Sequence, residues 1–209
     1  MSSKPRVRLT PQEYLAIERQ AETKSEYYIG EMFLITGASR EYNLIGTNLT
    51  GALQPQLRQK PCEIYAKDMR VLIPATGLYT YPDIVVVCNE PKFEDAELDT
   101  LLNPTLIIEV LSDSTEKYDR GKKSENYRSI ESLREYLLIA QDEPKLEHYA
   151  RQSNGGWLLT DYHTLEATVS LPAIECNLSL RDMYDKVVFK PIDTGAPVRT
   201  ETSGDERRR

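Results

Sequence analysis

Two short runs constrain this chain more than any other feature in it: DIVVVC at 83–88 and TLIIEVL at 105–111. Each is nearly continuous β-branched and aliphatic sequence, without the polar alternation of a strand that has one wet face. Such strands are buried on both faces, at the centre of a sheet. Helical patterns surround them. Leu44, Ile45, Leu49, Leu53 and Leu57 recur at helical spacing over 39–57, with Pro55 placed to kink or end that helix. Thr10, Pro11 and Glu13 form a capping-box signal that predicts a short helix over 10–22. A polar helix is expected over about 115–131, started by Ser112 or Ser114. The fold class is therefore α/β, a mixed β-sheet flanked by helices.

The remaining segments fill out this frame. EYYIGEMFLIT (26–36) predicts a hairpin turning at Gly30, added at the N-terminal side together with the 10–22 helix. CEIYAKDMRVLIP (62–74) and EYLLIA (135–140) are strand-like, and the acidic stretch 89–100 suggests an exposed loop. Segments 145–150 and 156–163 flank Ser153-Asn154-Gly155-Gly156 and predict a C-terminal β-hairpin. A further strand at 168–174 and a short helix at 179–187 follow. Residues 1–8 are expected to be a loose leader and 191–209, poor in apolar residues, a disordered tail. A single domain over 9–190 remains.

Asp83 and Glu109 stand where an ionised side chain is expensive unless paired or bound to metal. The plain alternative for Asp83 is a turn residue after Pro82. For Glu109 it is a buried ion-pair partner, or a position on a solvated face. If the two strands are neighbours, both carboxylates converge at one end of the sheet. Two carboxylates with open water positions suit Mg²⁺ or Mn²⁺, and the backbone carbonyl of Val110 is a further candidate ligand. A metal so held activates water and stabilises a pentacovalent phosphate. Downstream, Asp119, Lys123 and Tyr127 lie four apart on one helix face. Alone, Asp119 and Lys123 read as an ordinary surface pair. Beside a carboxylate site, Lys123 orients the attacking water or holds phosphate charge; Lys122, about 100° around the helix, is second choice.

Composition narrows the chemistry. With 26 basic and 33 acidic residues the net charge is −7, which argues against non-specific coating of nucleic acid while leaving room for a local basic groove. Two histidines, His148 and His163, exclude a histidine-rich metal site. Cys62, Cys88 and Cys176 have no CxxC spacing, so neither a disulfide framework nor a zinc site is expected, and Cys88 reads as core. No apolar run approaches the roughly 20 residues of a membrane span, and the N-terminus has no secretory h-region; a cytoplasmic protein is expected. The 13 tyrosines read mainly as sheet packing, with Tyr79 or Tyr81 as candidate base-stacking residues.

Pro82-Asp83 followed by Glu109-Val110-Leu111 resembles the signature of the PD-(D/E)xK nuclease superfamily. The longer series is more specific. LTPQEYL, KSEYYIGEMF, GASREYNLIGTNL, YPDIVVVC, NPTLIIEVLS, then D-x3-K-x3-Y and EYLLI, resembles the Uma-two-type family of restriction endonucleases over about residues 9–190. The resemblance implies a restriction-endonuclease-like fold and a Mg²⁺- or Mn²⁺-dependent endonuclease acting on nucleic acid, with DNA as the expected substrate and a homodimer as the expected assembly for symmetric cutting. It assigns Asp83 as the first metal-binding acid and Glu109 as the second. Two departures follow. Leu111 occupies the place of the usual strand lysine, and Lys123 from the next helix is the stand-in. Tyr42 stands where a histidine is expected, with Glu41 or Glu26 as candidates for an additional glutamate. The rival functions are a nuclease-like domain that binds nucleic acid or protein without cutting, and a carboxylate-pair glycosidase, which would need a sugar cleft between its acids.

Overall fold

In a computed structural model of the chain, residues 8–35, 37–112 and 116–189 are described. The expected leader and tail fall on 1–8 and 191–209; all of these but residue 8 lie outside the described residues, as does Ser114. The first helix, α1 (Pro11–Glu18), starts with the anticipated capping box, with Thr10 and Glu13 satisfying each other's backbone N–H groups. It leads into the hairpin β1 (Ser25–Tyr28) and β2 (Glu31–Leu34). Ile29 and Gly30 both have positive φ, 49° and 84°, in the two-residue turn that matches strand twist. A Cβ on Gly30 would also sit 2.7 Å from the Arg8 side chain, so only glycine fits there.

Helix α2 (Arg40–Leu57) is capped by Ser39 and runs through Pro55 to Leu57. Then come β3 (Cys62–Ala66), β4 (Arg70–Ile73), β5 (Leu78–Thr80), β6 (Ile84–Cys88), β7 (Thr100–Leu101) and β8 (Leu106–Val110). Helix α3 covers 116–128, with a π-helical middle at Asp119–Lys123. The chain continues with β9 (Glu135–Ile139), β10 (Leu146–Arg151), β11 (Trp157–Tyr162), β12 (Thr168–Leu171), β13 (Cys176–Ser179) and a short helix, Leu180–Met183.

The central sheet has six strands in the order β11-β10-β9-β8-β6-β3, mixed because β8 and β9 run parallel. The two aliphatic runs are neighbours at its centre: β6 and β8 pair antiparallel. Their alternate residues fill two separate cores. Ile84, Val86, Leu106 and Ile108 pack with Ile45, Leu49, Leu53 and Leu57 of α2. Val85, Val87 and Ile107 face the other way, toward Val71, Ile73, Leu78 and Tyr127. A second sheet, β2-β1-β5-β4-β7, covers that face, and Tyr14 of α1 stacks on Tyr27 at 5.0 Å between ring centroids. Leu53 is fully buried. Leu53→Ala is expected to lower the unfolding free energy by about 2–5 kcal/mol in urea denaturation, the usual range for a buried leucine that leaves a cavity.

Three local expectations are corrected. The 62–74 segment is not one strand: Lys67 adopts a left-handed φ of 71°, the chain turns, and β4 joins the second sheet. The acidic 89–100 stretch is not simply an exposed loop. Thr100 and Leu101 are buried and pair with β4, while Asp95 and Asp99 are held by Arg19, and Asp99 also by Arg70. Cys62 and Cys88 are joined in a disulfide. Their 26-residue separation gives no cue, but the antiparallel register of β3 on β6 places them directly opposite. Cys88 is thus a half-buried cross-strand partner, not a free core thiol.

Candidate active site

The β6–β8 register builds the first half of the site. Ile84 pairs with Ile108, so the residues one step on, Asp83 and Glu109, lie side by side on the face that carries the second sheet and α3. Both are buried. Asp83 Oδ2 accepts a hydrogen bond from the Val110 backbone N–H at 2.7 Å, and Oδ1 accepts from the Tyr42 hydroxyl, which α2 brings over the end of the sheet. Glu109 Oε1 accepts from the Tyr127 hydroxyl at 2.6 Å and from Lys123 Nζ at 2.9 Å.

Lys123 completes the cluster from α3. Its ammonium also lies 3.1 Å from Glu26 of β1 and 3.5 Å from Asp119. The π-helical segment keeps Asp119, Lys123 and Tyr127 on the inward side, as π-bulges often do at functional positions. Three buried carboxylates (Glu26, Glu109 and Asp119) therefore share one buried ammonium, and buried Asp83 adds a fourth acid to the cluster. Burial pushes the Asp83 carboxyl up to about 7, against the hydrogen bond from Val110 and the charge of Lys123. Burial pushes Glu109 up to about 8, with Lys123 opposing and Asp83 adding to the rise. Burial disfavours the Lys123 charge, but the surrounding carboxylates, Glu109 first, outweigh it and hold the ammonium well above its ordinary range. The centre is short of positive charge.

Of the residues singled out from sequence, Asp83, Glu109, Lys123 and Glu26 come together. Glu41 does not: it lies beside Tyr42 on α2, pairs with Arg40 at 3.2 Å and lines neither cavity of the site. Lys122 is exposed, 5.2 Å over the Tyr28 ring, and touches none of the acids. Asp119 is no surface residue, being only 3% exposed. Tyr79 is buried with its hydroxyl donating to Glu94 at 2.6 Å, so it offers no face to a base, whereas Tyr81 lines a cavity at the site. Tyr42 and Tyr127 are singled out by position in the sequence, but their hydrogen bonds to Asp83 and Glu109 are not foreseen there. The Asp119/Lys123/Tyr127 spacing was the one signal for Tyr127.

Two cavities open on the site, one on all four acids and one on Asp83 alone. The larger, about 760 Å³, is lined by Glu26, Asp83, Glu109, Asp119, Lys122 and Lys123 among others. The smaller, about 410 Å³, lies on the α2 side between Gly46, Thr47, Thr50, Gly51 and Lys67, and reaches Asp83 and Val110. Among the described residues, no three His, Cys, Asp or Glu side chains are already grouped around a common metal position. The donors that suit a hard cation are the Asp83 and Glu109 carboxylates and the Val110 carbonyl. Oxygen ligands of this kind, completed by water, fit Mg²⁺ or Mn²⁺, and the surplus of buried negative charge favours a cation there.

The mixed sheets and the flanking helices define a nuclease-like α/β fold. The chain matches the crystal structure of a protein from Anabaena variabilis described as "a putative nuclease belonging to DUF820", with a TM-score of 0.69 at 19% identity, over 86% of this chain and 99% of that one. Residues 11–182 match the model of the family described as "Uma2: Putative restriction endonuclease", and the chain belongs to that family. Two Synechocystis sp. proteins are similar to it in sequence. "Uncharacterized protein sll1609" is 42% identical over 153 residues, covering 73% of this chain and 86% of that protein. "Uncharacterized protein slr1290" is 31% identical over 187 residues, covering 90% and 97%. Among the described residues no helix is long and apolar enough to cross a membrane.

Proposed function

We propose that this chain is a metal-dependent endonuclease that hydrolyses phosphodiester bonds of nucleic acid, with DNA as its substrate. The single observation that carries this is the convergence of Asp83 and Glu109, from adjacent central strands, beside one buried lysine in a cluster where acids outnumber cations. Membership in a family described as restriction endonucleases supports it.

Mg²⁺ or Mn²⁺ held by Asp83, Glu109 and the Val110 carbonyl would supply a Lewis acid for the scissile phosphate and lower the pKa of a bound water. The protein's own groups do the rest. The Val110 N–H and the Tyr42 hydroxyl fix the two oxygens of Asp83. Tyr127 and Lys123 fix Glu109. Lys123 stays protonated among its carboxylates, so it holds charge and orients Glu109 instead of removing a proton from water. Glu26 and Asp119 keep that ammonium in place.

The purified chain is expected to nick or linearise plasmid DNA in Mg²⁺ or Mn²⁺, and to lose that activity in EDTA. A metal-replete sample without cleavage overturns the proposal. One observation favours a second reading, a nuclease-like domain that binds nucleic acid without cutting: both Asp83 oxygens and Glu109 Oε1 already have protein partners. The same assay, run beside DNA binding in Ca²⁺, separates the two.

A further inference from the structure

The two cavities share a wall. Tyr42, Asp83 and Val110 line both, so Asp83 stands between the two hollows, while Glu26, Glu109 and Asp119 line the larger one. Each hollow carries one exposed lysine that the acids do not use. Lys67 lies in the smaller cavity, with Nζ 2.6 Å from Asn43 Oδ1 and 5.6 Å over the Tyr42 ring. Lys122 lies in the larger one, over Tyr28. Among the described residues neither forms an ion pair with a carboxylate, whereas nearby Lys24 is tied to Asp68 and buried Lys123 to its acids.

Lys67 is also held in an unusual way. Its left-handed backbone lets its N–H donate to the Asp83 carbonyl at 2.8 Å, which fixes the lysine directly next to the first acid. A non-glycine residue in this region is strained and is kept where the surroundings over-determine it. The smaller cavity is also lined by Gly46 and Gly51 of α2. A Cβ on Gly51 would meet nothing within 4 Å, and one on Gly46 only Lys67 Cε at 3.9 Å, so this lining is open to a backbone passing close to the helix.

We propose that a nucleic-acid strand crosses Asp83 from one cavity to the other, and that Lys67 and Lys122 hold the phosphates flanking the bond that is cut. This rests on the nuclease reading above. A chain with net charge −7 repels nucleic acid at long range, so two unpaired lysines placed either side of an acidic centre become the local source of attraction. The arrangement makes the enzyme require charge on both sides of the scissile phosphate. It selects bonds inside a strand over terminal ones.

The test uses an oligonucleotide that the intact chain cuts at a mapped bond, and versions carrying a neutral methylphosphonate at the position before or after that bond. Lys67→Gln and Lys122→Gln are each expected to raise KM about tenfold with little change in kcat. Each should also reduce the slope of log binding constant against log salt by about one, measured in Ca²⁺. Each variant should be indifferent to one of the two methylphosphonates and remain sensitive to the other. Variants with parental KM and salt slope, or with unchanged sensitivity to both methylphosphonates, overturn the phosphate assignment while the nuclease reading stands. An intact chain that binds but does not cut overturns the nuclease reading, and the Ca²⁺ salt slopes then decide the lysines by themselves. An intact chain that neither binds nor cuts overturns both.

Discussion

Glu109→Gln and Asp83→Asn are each expected to lower the rate of metal-dependent DNA cleavage by roughly 10³-fold or more. Metal stabilisation of phosphoryl charge contributes several kcal/mol, and each ~1.4 kcal/mol is a decade in rate. Both amides keep the shape of the side chain they replace, so the loss is of charge. The fold should not suffer. The two carboxyls are buried and held far above their ordinary range, to about 7 and about 8, because desolvation opposes their ionised forms. Replacing either with a neutral amide removes a group whose ionised form burial disfavours. Lys123 keeps Glu26 and Asp119 as partners after Glu109→Gln. A melting temperature equal to or above that of the parent, together with lost cleavage, is the expected pair of results. Parental cleavage rates in either variant would remove the carboxylates from the reaction.

Lys123→Met is expected to destabilise the chain in EDTA by about 3–5 kcal/mol at pH 8, the range for removing one partner of a buried charge pair. The loss should be markedly smaller at pH 5. The sign follows from Glu109. Its folded pKa, already about 8 with the lysine present, lies above the ordinary 4.5, so the folded state binds the proton more tightly than the unfolded one. Stability is therefore fullest below the unfolded carboxylate range and falls as pH rises toward and beyond about 8. Without Lys123 the opposing attraction is gone and the fall is steeper. Urea titrations of both proteins at the two pH values measure this, and an equal difference at pH 5 and pH 8 would show that Lys123 does not balance buried carboxylates.

These two expectations draw on different parts of the chain. Asp83 and Glu109 stand out in the sequence because one starts and the other interrupts an aliphatic strand, and burial on both faces is legible from the unbroken apolar pattern. Lys123 is marked by its four-residue spacing from Asp119 and Tyr127. Glu26 is not distinguishable locally from Glu41: each is an acid in a polar setting. The structure selects Glu26, because β1 pairs with β5 and brings it to Lys123, while Glu41 pairs with Arg40.

The amino-acid sequence by itself determined the two central strands, the helix that packs under them, the first hairpin and the acids that sit in apolar surroundings. These are consequences of short-range periodicity and of the cost of desolvating charge. The tertiary structure decided what depends on register and on separations of tens of residues. It set Glu26 and Asp119 around Lys123, joined Cys62 to Cys88, sent β4 to a second sheet at Lys67, and divided the site into two cavities. Local pattern fixes which face of an element is apolar. Which distant element covers that face is settled only when the whole chain has packed.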